Sequence, residues 1–140
     1  MNREIAERTK LLCKSARSAM LTMLTAEKDI ATLKKKMGTA RTERETIALT
    51  RALERREEER NQAAEIVYSF KSAVDGLEEQ ERDVLQQLYL KGRKSKEVES
   101  LDGRIMDMQA VETIRKRAIR HLSVNAERLQ RLKDGMSEIV

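Results

Sequence analysis

The sequence predicts an all-α fold that opens on a long N-terminal antiparallel helical hairpin, coiled-coil-like in its spacing, over residues 1-76. Three observations carry this. The 140 residues include no Pro, no Trp, one Phe and two Tyr, so the aromatic residues that strands favour are nearly absent. Apolar positions recur in steps of four and three along the first two segments, the spacing that holds one stripe of a helix against a partner. Five glycines (Gly38, Gly76, Gly92, Gly103 and Gly135) punctuate the chain where a helix can end in a left-handed residue. Read as boundaries, they give two long helices, two short ones and a long C-terminal helix.

The first segment carries the clearest seam: Ile5, Thr9, Leu12, Ala16, Ala19, Met23, Ala26, Ile30, Leu33 and Met37. A helix of that extent is roughly 50 Å long and needs a partner along its length. Ala16, Ala19 and Ala26 let a neighbouring backbone approach closely. Cys13 lies beside the seam and reads as a small buried hydrophobe. Lys34, Lys35 and Lys36 fall in the last turn, where cations complement the helix dipole.

The second segment continues the spacing through Leu49, Leu53, Arg56, Arg60, Ala63, Val67, Phe70, Val74 and Leu77. Its middle, Glu54 to Arg60, is wholly charged, which reads as a solvated face with Arg and Glu paired at helical spacing. The short stretch from Gly38 to Thr42 folds the two helices back on each other. An intermolecular coiled coil, giving a homo-oligomer through the same seam, satisfies the spacing equally.

Charge and composition narrow the function classes. Charged residues make up 38% of the chain and hydrophobic residues 39%, so apolar surface is scarce and has to be gathered into stripes. The net charge of +5 favours an acidic partner. It is distributed unevenly. Residues 77–90 carry four acidic and one basic side chain, whereas residues 91–133 carry twelve basic and six acidic. A lone Cys forms no internal disulfide and suits a reducing compartment. No apolar run reaches the ~20 residues of a membrane span, and MNREIAERTK lacks a signal-peptide layout. A cytoplasmic protein is the expectation.

The stretch from Leu77 to Leu122 organises the second half. It opens LEEQERDVLQQLYLKG and closes TIRKRAIRHL. Glu78, Glu79 and Glu81 crowd a helix start, where the dipole favours carboxylates. Val84, Leu85 and Leu88 form an apolar face with Tyr89 beside it. Val111, Ile114, Ala118, Leu122, Leu129 and Leu132 keep helical spacings, and the pattern runs on to Gly135. The order Leu77, Glu81-Arg82, Val84-Leu85, Tyr89, Gly92, followed by Thr113-Ile114, Arg117, Arg120 and Leu122, resembles region four of bacterial sigma factors. Phage late-transcription regulators of the ArpU and RinA type carry a similar module behind a helical N-terminus. Two departures stand out. Glu97 follows Ser95 by two residues where the family's capping box uses three, and Leu101 to Thr113 is longer than the family's turn. A second register, setting Ala110-Val111 at the family's Thr-Val, shortens the insertion, and both registers stay open.

The resemblance implies a helix-turn-helix unit over 77-140 with an extended C-terminal recognition helix. It implies a sequence-specific DNA-binding regulator, phage or prophage encoded, that acts on double-stranded DNA and contacts RNA polymerase. In such a unit the second helix enters the major groove and flanking cations hold phosphates. Gln109, Glu112, Arg115 and Lys116 then fall where base readers lie in either register, with Arg120 further along. Arg93, Lys94, Ser95 and Lys96 fall where backbone contacts are expected. The bland alternative makes all of these the solvated face of an amphipathic helix. The competing function is a coiled-coil interaction module that docks RNA polymerase or another regulator without touching DNA.

Catalysis has little support in the sequence. His121 is the only histidine, and no nucleophile–base pair is visible beside it. Neither a Cys/His zinc spacing nor a glycine-rich phosphate loop occurs. The expectation is a non-enzyme that needs no metal and no cofactor.

Overall fold

Four helices account for most of the chain: α1 (Arg3–Gly38), α2 (Glu43–Val74), α3 (Glu79–Tyr89) and α4 (Met108–Ile139). They come from a computed structural model that describes residues 3–139, with side chains as far as Glu127. The fold is all-α, with a long helical pair at its N-terminus. Contacts divide the chain into two compact units, Ser18–Tyr68 on one hand and Met1–Arg17 together with Ser69–Val140 on the other. The sequence reading divides it at residue 76; the packing divides it after residues 17 and 68.

Within Ser18–Tyr68 the chain reverses between Gly38 and Glu43. Thr42 caps the second helix, its hydroxyl accepting the Glu45 amide at 3.1 Å. Ala19, Ala26 and Ile30 of the predicted seam are buried, as are Ala63 and Val67 of the returning helix. Met23, Leu33 and Met37 are half-buried. In the charged interruption at Glu54–Arg60, Glu54, Arg55 and Glu58 are exposed, while Arg56, Glu57, Glu59 and Arg60 are half-buried, so it is solvated only in part. Arg56 bridges to Asp29 of α1 at 3.4 Å and to Glu59 at 2.9 Å.

In the other unit, the first turns of α1 contribute buried Thr9, Cys13 and Ala16, the end of α2 contributes Phe70 and Val74, and the turn after it contributes Leu77. Helices α3 and α4 pack through Val84, Val111 and Ile114, with Val98 from the intervening segment and Leu88 and Met106 at the edge. Tyr89 stands edge-on to Phe70, ring centroids 6.2 Å apart. The C-terminal helix runs on well past Leu122, as its periodicity predicts, and Gly135 lies within it rather than at its end. The expected core positions Leu129 and Leu132 lie outside the described side chains.

The sequence reading fails at one element. The second helix of the expected unit, starting at Ser95, is a single 3-10 turn, Ser95–Glu97, followed by a small hairpin closed by a bridge between Glu99 and Ile105. The composition explains it: between Arg93 and Gly103 only Val98 and Leu101 are apolar, and Val98 alone is buried. A helix there would have almost no face to bury. The backbone is bracketed instead by buried Gln87. Its Nε2 donates to the Glu99 carbonyl at 2.8 Å and its Oε1 accepts the Glu99 amide at 2.9 Å, as a neighbouring strand would. Ser100 N–H to Arg104 O at 2.7 Å completes the hairpin.

Candidate nucleic-acid interface

Helix α4 buries one face and shows another. Val111, Ile114, Ala118 and Leu122 are buried. Gln109, Thr113, Lys116 and Arg120, at steps of four, three and four, are exposed. Eleven residues of helix rise span roughly 16 Å, three turns of polar and basic surface on one stripe. The width of the buried face follows from what covers it: α3 packs on one side, and Ala6 and Lys10 of α1 lie beside Ile119 on another.

The nine residues singled out by sequence separate into two sets. Lys94, Lys96, Gln109, Lys116 and Arg120 are exposed. Arg93, Ser95, Glu112 and Arg115 are engaged inside the chain. Arg93 Nη1 donates to Gln87 Oε1 at 2.7 Å and lies 3.8 Å from Glu99, so it tightens the connection. Ser95 Oγ donates to Glu112 Oε1 at 2.7 Å, while Arg115 clasps Glu112 Oε2 through Nε at 3.0 Å and Nη2 at 2.8 Å. Arg115 also hydrogen-bonds the Tyr89 hydroxyl. This network ties the 3-10 turn to the second turn of α4. The reciprocal cap doubted from the Ser95–Glu97 spacing is half made: the Glu97 carboxylate accepts the Lys94 amide at 3.0 Å.

The electrostatics follow from these contacts. Hydrogen bonds from Arg115 and then Ser95 hold the Glu112 carboxyl below the usual carboxylate range. A depressed carboxyl stabilises the fold above its ordinary range and loses that contribution as the pH falls through it. The bond to Glu112 raises Arg115 further. Burial raises the Tyr89 hydroxyl against the opposing bond from Arg115. Burial also pushes the Cys13 thiol up to about 11, with the Arg115 charge opposing, so the thiol stays protonated at neutral pH.

A second network was not visible in the sequence. Glu81, read as a helix-start carboxylate, is buried. It accepts Arg117 Nε at 3.1 Å and His121 Nδ1 at 2.8 Å. The sole histidine therefore has a carboxylate partner, 40 positions away, and its Nδ1–H is committed to it. Spacing could not have revealed this, because the pairing is made by the crossing of α3 and α4.

Gly92 shows how α1 is seated. Its φ is +69°, and a Cβ there would lie 2.1 Å from Arg17 Cζ. Glycine both permits the left-handed turn after α3 and leaves room for the guanidinium beside the carbonyl end of that helix.

Among the described residues no group of three or more His, Cys, Asp or Glu is placed to hold a metal ion, and no helix is long and apolar enough to cross a membrane. Compared with known families, curated proteins and solved structures, the chain matches no family model, no curated protein and no solved structure.

Proposed function

We propose that the protein binds double-stranded DNA through the exposed stripe of α4 and acts as a transcriptional regulator. The observation that carries the reading is the stripe Gln109–Thr113–Lys116–Arg120 on the face opposite the buried one. A single helix of this width fits a major groove about 12 Å across. Gln offers a bidentate pattern to adenine, Thr a hydroxyl and a methyl, Lys and Arg donors to guanine or phosphate. Lys94 and Lys96, exposed on the turn before the helix, supply sequence-independent phosphate contacts. The clasp on Glu112 fixes that turn to α4, so positioning residues and reading residues move as one body. The resemblance to sigma region four supports the same reading, and its missing second helix makes phosphate contacts from other parts of the chain necessary. Non-enzymatic, metal-free action fits this proposal.

The test is selection of a binding site from random duplexes, followed by titration of Gln109→Ala against selected and random DNA. A residue that reads a base loses about 1–3 kcal/mol on the selected site only. Wild-type protein that shows no salt-dependent duplex binding at low ionic strength defeats the proposal.

One observation favours a second reading. Leu101, Ile105 and Met108 are each exposed, close in sequence along the hairpin and the first residue of α4. Apolar side chains exposed over so short a stretch suit a protein surface, such as RNA polymerase or another regulator. Binding to such a partner that survives Lys116→Ala and is lost on Ile105→Asp would favour docking over DNA recognition.

A further inference from the structure

A recess of about 390 Å³ opens between the first turns of α1 and the middle of α4. Its floor is apolar, from Ala6 and Ile119, and its cations are Lys10, Arg115, Lys116 and Arg120; no carboxylate lines it. We propose that this recess is an anion site that takes a phosphate group, with Lys10 of α1 as the cation facing those of α4.

The charge balance around the recess supports this. Several arginines elsewhere in the same unit are matched, among them Arg8 to Glu4, Arg93 to Glu99, Arg104 to Asp102 and Arg117 to Glu81, each within 4 Å. Among the described residues, Lys10, Lys116 and Arg120 have no hydrogen bond or ion pair of their side chains. Arg115 is already held by Glu112 through Nε and Nη2 and by the Tyr89 hydroxyl, so the open cations of the recess are Lys10, Lys116 and Arg120. The Glu112 carboxylate offsets Arg115 and part of Lys116; the like charges that remain repel one another, and a tetrahedral dianion removes that repulsion. Lysine acts on it as a point charge and arginine as a planar fork.

The position of Lys10 is built rather than incidental. Its neighbours Thr9 and Cys13 are buried, Thr9 Oγ1 is tied to the Ile5 carbonyl at 2.9 Å, and Arg17 lies over Gly92. This seating brings a residue from the tenth position of the chain to the side of a helix more than a hundred residues later. A backbone phosphate of duplex DNA and the phosphate of a free phosphorylated molecule share the chemistry. The choice of DNA as source rests on the function proposed above, and the phosphate chemistry does not.

The full-length chain is compared with Lys10→Gln, Arg120→Gln and, as a charge control in the other unit, Lys28→Gln. One arm titrates inorganic phosphate and pyrophosphate at matched ionic strength and follows the amide resonances of Lys10, Lys116 and Ile119. The other measures a random-sequence duplex against salt by fluorescence anisotropy. If the site takes DNA phosphate, Lys10→Gln and Arg120→Gln each lower the salt slope by about one, and Lys28→Gln does not. Should the duplex fail to bind while pyrophosphate still shifts the three resonances, with an affinity about tenfold weaker in Lys10→Gln, the site stands and the DNA reading falls. Duplex binding with an unchanged slope in both variants, and no pyrophosphate response, overturns the site and leaves the DNA reading intact. Failure of both probes on folded protein overturns both. Arg120→Gln carries the comparison if Lys10→Gln does not fold.

Discussion

The two compact units are both helical, yet different kinds of contact hold them. Ser18–Tyr68 buries mainly small side chains, Ala19, Ala26 and Ala63, with Ile30 and Val67, and its ties between charges are surface ion pairs at Arg56. The other unit buries Phe70, Leu85, Val98 and Val111, and with them the polar Glu81 and Gln87. Among the described residues, no buried side-chain nitrogen or oxygen lacks a hydrogen-bond partner. Repetition is enough to bring two helices together, because any stretch of the seam resembles its neighbour. An irregular connection such as Lys91 to Asp107 needs groups that each accept one partner only.

Breaking the polar brackets should therefore cost far more than breaking the surface pairs. The largest effect is expected from stripping the buried carboxylate of both donors. Arg117→Met combined with His121→Leu leaves the buried Glu81 carboxyl without either partner, at a cost of about 3–5 kcal/mol. Glu81→Gln should cost about 1 kcal/mol, because the Arg117 and His121 side chains are 41% and 50% exposed and return to water. Urea unfolding of the two variants measures the asymmetry, and equal losses would show that Glu81 is hydrated in the native state.

A middle effect is expected at the connection. Gln87→Ala removes both bonds to the Glu99 backbone and leaves groups there without a partner, costing about 1–3 kcal/mol. Hydrogen exchange should place the loss locally, with faster exchange at Glu99 and Met106 and little change in Ser18–Tyr68. Exchange that quickens equally in both units would erase the contrast drawn between them. The smallest effect is expected in the hairpin. Arg56→Ala gives up two solvent-facing ion pairs and should cost at most about 1 kcal/mol, a loss that salt diminishes further. A loss comparable to that of Gln87→Ala would mean that the hairpin too depends on a specific polar tie.

The same contrast explains what was legible in the sequence. The seam from Ile5 to Met37 could be read because burial follows a local period, and none of its ten positions is exposed. The faces of α3 and α4 were legible for the same reason, as were Lys116 and Arg120 on the open side of α4. The 3-10 turn was misread because a short motif at Ser95 suggested a helix while the apolar residues needed to bury one were missing. The Ser95–Glu112–Arg115 clasp, the Glu81 pair and the approach of Lys10 could not be read. Each joins residues separated by 17 to more than a hundred positions, where no local period operates.

The seating of Met1–Arg17 against Ser69–Val140 has a consequence for the order in which the protein forms. The hairpin is nested inside the other unit in sequence, so all its contacts are available once about half the chain has been made. The first turns of α1 share their unit with the end of α2, made early, but meet Gly92 and Ile119 only after α3 and α4 exist. Helical hairpins close quickly, and contacts between distant parts of a chain close slowly. During synthesis, then, the side of α1 at Ala6 that meets Ile119 waits uncovered until the last third of this sequence emerges. That interval, rather than the finished fold, is when this chain is most exposed to aggregation.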